Sequence, residues 1–92
     1  MHIKVPIPQG SKSYIVAIVD ILRIESRSVS FVDTGAHNLY IFEKTTTGDE
    51  LFSLYSYKQK QDMLAAFSII SSLLKQKSKK AVMLELEPML KQ

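Results

Sequence analysis

Six lysines stand between residues 58 and 80 (Lys58, Lys60, Lys75, Lys77, Lys79 and Lys80) against a single carboxylate, Asp62. Four of them, Lys75, Lys77, Lys79 and Lys80, fall within six positions. That density can neutralise several nucleic-acid phosphates or meet an acidic protein surface. It equally suits a solvated helix end, where cations complement the negative pole of the helix dipole. Residues 1–57 carry five bases and six acids, and residues 81–92 carry Lys91 against Glu85 and Glu87. The formal charge of +3 therefore belongs to one segment. Only two arginines and no RNA-binding aromatic motif accompany it.

The remaining reactive side chains are sparse. There is no cysteine, which excludes a disulfide framework, a thiolate zinc site and a cysteine nucleophile. His2 and His37 have no ligand partners at metal-like spacing, and Glu85 with Glu87 lacks a histidine to complete a site. No metal and no cofactor is expected. No glycine-rich phosphate loop is present, and no serine has the flanking glycines of a nucleophile elbow. Tyr40 with Phe42, or Tyr55 with Tyr57, could stack bases on a strand face, but aromatics on strands more often pack the core.

One string carries more specific chemistry. Phe31-Val32-Asp33-Thr34-Gly35-Ala36 resembles the active-site segment of aspartic proteases, in which a strand delivers Asp-Thr-Gly. The resemblance implies an aspartate that activates water, sharing a proton with a second aspartate from a homodimeric partner. The chain departs from that family elsewhere: it has no later apolar-apolar-glycine segment and no glycine-rich flap. Asp-Thr-Gly is also good turn chemistry between strands. A second string, Val19-Asp20-Ile21-Leu22-Arg23-Ile24-Glu25-Ser26, is similar to the opening of LytTR-type DNA-binding domains. That family continues with a basic strand segment after its helix, which this sequence lacks.

The elements that must position these residues follow from periodicity. Ile3, Val5 and Ile7 alternate with polar residues and Pro6, a strand that belongs at a sheet edge because proline cannot donate to a ladder. Tyr14 to Glu25 reads as one long bent strand or as two strands broken near Val19-Asp20, and Ser26-Arg27-Ser28 as a chain reversal. Strands over Ser28 to Asp33, Leu39 to Thr45 and Glu50 to Tyr57 follow, separated by a polar loop at residues 34–38 and a tight turn at Thr46-Thr47-Gly48-Asp49. Met63, Phe67, Ile70 and Leu74 then recur at helical spacing, giving a helix over about residues 58–76 with Ser56 and Gln59 as a capping box. Val82, Leu84 and Leu86 alternate up to Pro88, a strand pattern expected at the sheet's own edge or paired with another copy, while the same Ala, Met, Leu and Glu residues also suit a helix.

With 92 residues, 46% apolar and 23% charged, the chain has room for one core. The expected fold is α+β: an antiparallel meander of five to six strands with one long amphipathic C-terminal helix on one face. Residues 1–80 form the domain and residues 81–92 a tail. No apolar run approaches a membrane span and no signal peptide opens the sequence, so a cytoplasmic setting is expected. Both faces of the central hairpin are apolar: Leu39, Ile41, Leu51 and Tyr55 alternate with Tyr40, Phe42, Phe52 and Leu54. One helix covers one face only. The expectation is a non-enzymatic module acting through protein–protein association as a homodimer or higher oligomer. The alternatives are nucleic-acid binding through Lys75, Lys77, Lys79 and Lys80, and a homodimeric protease through Asp33.

Overall fold

The computed structural model describes residues 1–30, 35–76 and 82–90. These residues form β1 (His2–Ile7), β2 (Tyr14–Ala17), a 3-10 turn (Ile18–Asp20), β3 (Ile21–Ser30), β4 (Gly35–Lys44), β5 (Glu50–Tyr57), α1 (Lys60–Leu74) and β6 (Met83–Pro88). The fold is α+β, but the strands do not make one meander. They form two three-stranded sheets, ordered β1-β6-β2 and β3-β4-β5.

The segment read as an edge or inter-subunit strand is the centre of the first sheet. β6 lies parallel to β1, with Ile3 opposite Leu84 and Val5 opposite Leu86, and antiparallel to β2, with Val16 opposite Leu84. Its alternation is explained by that place: Leu84 and Leu86 are buried in the core, while Glu85 and Glu87 face His2 and Lys4 of β1. Pro6 sits on β1, which is an edge of this sheet and so has no ladder bond to lose on its outer side.

The 3-10 turn carries the chain from the first sheet to the second. Ile18 is buried there and its N–H donates to the Val82 carbonyl at 3.0 Å. β3, β4 and β5 then run as an antiparallel meander, joined at the second turn by Gly48 at φ +89°. Glycine is needed at that position because side chains with a Cβ rarely adopt it. Ser26-Arg27-Ser28 does not reverse the chain. β3 continues to Ser30, and β4 begins at Gly35, inside the expected polar loop.

α1 has 15 residues and is followed by β6, so it is shorter than expected and not the C-terminal element. Met63, Ala66, Ile70 and Leu73 are its buried residues, with Phe67 and Leu74 half-buried beside them. It packs against β1, β3, β4 and β5, closing the inner face of the second sheet. The helix is capped by Gln59 without a side-chain hydrogen bond. Ser56, the expected cap, instead donates from Oγ to Asn38 Oδ1 at 2.7 Å. The core is one cluster drawn from both sheets and the helix, including Val5, Ile7, Leu39, Ile41, Tyr57, Ile70 and Leu84. Among the described residues no polar or charged side chain is buried, and no helix is long and apolar enough to cross a membrane.

Candidate interaction surface

Strand parity sorts the aromatic residues. Leu39 opposite Tyr55, Ile41 opposite Ser53 and His37 opposite Tyr57 share the inner face of the second sheet. Tyr40 opposite Leu54 and Phe42 opposite Phe52 share the outer one. The two tyrosines of β5 thus serve the interior. Tyr57 is 1% exposed and donates its hydroxyl to the Pro6 carbonyl at 2.7 Å, tying β5 to β1.

The outer face is an aromatic patch. Phe42 and Phe52 ring centroids are 5.6 Å apart, Tyr40 and Phe52 6.0 Å, and Tyr40 and Phe42 6.4 Å, all inside the range of favourable ring pairs. β3 adds two guanidinium groups: Arg23 lies 3.9 Å from the Phe42 centroid, and Arg27 lies 5.7 Å from that of Tyr40. Arg23 is also held between Glu25 and Glu50. Glu25, Arg27, Tyr40, Phe42 and Phe52 enclose a shallow depression of about 110 Å³. Phe52 is 60% exposed and Leu54 48%, so the patch faces solvent. The arginines went unread in the sequence as part of this site. Their signal was the period-2 spacing of Arg23, Glu25 and Arg27, masked by reading a turn at residues 26–28.

No protein-family model matches this chain, and neither does any curated protein or solved structure.

The other candidate residues do not converge. Lys75 caps the C-terminus of α1 and is exposed; Lys77, Lys79 and Lys80 lie outside the described residues. Asp33 and Thr34 of the protease-like string also lie outside them. His2 Nδ1 is 2.6 Å from Glu85 Oε1, and His37 Nδ1 is 2.9 Å from Ser28 Oγ. The histidines are therefore on different sheets, and among the described residues no group of three His, Cys, Asp or Glu is placed to hold a metal ion. Burial pushes the hydroxyls of Tyr14 and Tyr55 above the ordinary range, reinforced by the Glu43 carboxylate. Burial raises Tyr57 further. All three shifts favour the neutral phenol, which is the wrong direction for a base or nucleophile at neutral pH.

Proposed function

We propose that this chain is a non-enzymatic interaction module that associates with a second copy of itself through the outer face of β3-β4-β5. The observation that carries the reading is the exposed cluster of Tyr40, Phe42 and Phe52 with Arg23 and Arg27 laid on its rings. Tyrosine, phenylalanine and arginine are the residues enriched where proteins meet, because they bring large area with few rotors to freeze. α1 and the first sheet occupy the other side, so nothing within the described residues covers this one.

The charge on the face favours a second copy over a nucleic acid. Arg23, Arg27 and Lys44 stand against Glu25 and Glu50, and Arg23 already meets both carboxylates. A phosphate backbone asks for several uncompensated cations. A two-fold interface asks for both signs on one patch, so that each copy can answer the other.

Gel filtration with light scattering across micromolar concentrations tests this. The expected result is a dimer that Phe42→Glu converts to a folded monomer. A wild-type chain that stays monomeric at several hundred micromolar would sink the proposal.

A further inference from the structure

Two sheets have four edges, and natural proteins blunt edges to prevent unwanted pairing. β1 carries Pro6 and Lys4. β3 carries Arg23, Glu25 and Arg27 and a register shift between Ile21 and Arg23. β2 is only four residues long. β5 is different: over Leu51–Tyr57 it has no proline, no charge and no register shift against β4. Those seven residues are an unguarded edge, with Leu51 and Phe52 among the most exposed apolar side chains.

β5 does not border open solvent alone. A groove of about 990 Å³ runs between it and β2, lined on one side by Tyr14, Ile15 and Ala17 and on the other by Leu51, Ser53 and Tyr55. In an antiparallel pair every second residue turns its N–H and C=O away from its neighbour. Among the described residues β2 pairs only with β6 and β5 only with β4, so both edges turn main-chain donors and acceptors outward. Among the described residues no main-chain hydrogen bond joins β2 to β5.

We infer that this groove accepts an extended segment of a partner protein, which adds as a fourth strand to the free edge of β5. The partner's chemistry follows from the lining. Lys12 and Lys44 are balanced by Asp20 and Glu43, and Glu43 is engaged by the Tyr14 hydroxyl at 3.0 Å. The groove therefore asks for no net charge in its occupant. Affinity comes from the main chain, and selectivity from alternate apolar side chains set against Ile15, Leu51 and Tyr55. β2 walls the edge on one side, which suits a single strand better than the flank of another globule.

The groove borders the outer face at Lys44, Phe52 and Leu54, and its test does not depend on dimerisation. A phage-displayed library of random 12-residue peptides is selected on the full chain carrying Phe42→Glu. The recovered peptides are then made synthetically, with and without N-methylation of alternate amides. The expected result is enrichment of uncharged peptides with alternating apolar residues. Their binding shifts the amide resonances of residues 13–17 and 51–55, and falls about tenfold or more on N-methylation of one alternate set and on Ile15→Lys. Failure to enrich any peptide would overturn the inference. So would peptides that shift only β3 and β4 and leave residues 13–17 unmoved, or affinity indifferent to N-methylation of either set. Dimerisation of Phe42→Glu through β5 itself, displaced by no peptide, would likewise replace the partner segment with a second copy.

Discussion

Replacing Tyr57 with phenylalanine removes one oxygen from the core and should have opposite consequences at neutral and alkaline pH. At pH 7 the variant loses the 2.7 Å bond to the Pro6 carbonyl. A net hydrogen bond contributes about 0.5–1.5 kcal/mol, and a shielded acceptor left without its donor raises the cost, so we expect a loss of about 1–2 kcal/mol. In a domain of this size each kcal/mol lowers Tm by about 4–8 °C. Above pH 10 the sign of a second effect matters. An unfolded tyrosine releases its proton near pH 10, whereas burial raises Tyr57 in the folded chain well beyond that. The unfolded state then binds fewer protons than the folded one, and wild-type stability falls by about 1.4 kcal/mol per pH unit from this group. Phenylalanine has no proton to release, so the variant lacks that component. Tyr14 and Tyr55 contribute equally to both proteins and cancel in the difference. Urea unfolding at intervals from pH 7 to 11 should therefore show the two stabilities converging about one unit above pH 10. A difference that stays constant with pH would refute the reasoning about burial, and no difference at pH 7 would refute the hydrogen bond.

Leu84→Ala should be among the most damaging single changes, costing about 3–5 kcal/mol by urea unfolding, because its side chain is fully buried on the central strand of the first sheet. A cost below 1 kcal/mol would mean that β6 does not hold the two sides of that sheet together. Lys75, Lys77, Lys79 and Lys80 changed together to glutamine should leave single-stranded and duplex DNA binding absent at physiological salt, as in the wild type. A linear fall of log affinity with log salt that flattens in this variant would move the function to nucleic-acid recognition.

The legible parts of the fold were those whose signal is local. β5 is bounded by a glycine turn and by the switch from period 2 to period 3.6, and its observed limits are those read from the sequence. Met63 and Ile70 announce the buried side of α1 by spacing alone. What the sequence hid was pairing at long range. β6 looks like any alternating strand, and nothing in Met83–Pro88 says that its neighbours are β1 and β2 rather than β5. The second half of β3 was misread for another reason. Ser26, Arg27, Ser28 and Val29 are all exposed, so that stretch projects beyond the core and neither face needs to be apolar. A strand with two wet faces has no amphipathic signature. The same stretch holds Arg27, which is why that guanidinium was missed while the rings were not.

The central place of β6 also fixes the order in which the molecule can be made. β1 and β2 do not touch as neighbours; each is paired only to β6. A nascent chain that has emerged as far as α1 can close the local β3-β4-β5 meander, whose contacts are near in sequence, but Val5, Ile7 and Val16 have no strand to join. β1 and β2 thus wait for a strand that is made only after α1. Until Leu84 and Leu86 arrive, two strand segments stand unpaired with their apolar sides uncovered, the condition in which chains recruit chaperones or one another. A stop codon that removes the segment from Met83 onward would be felt far away in sequence, at residues 2–17, where β1 and β2 would never settle.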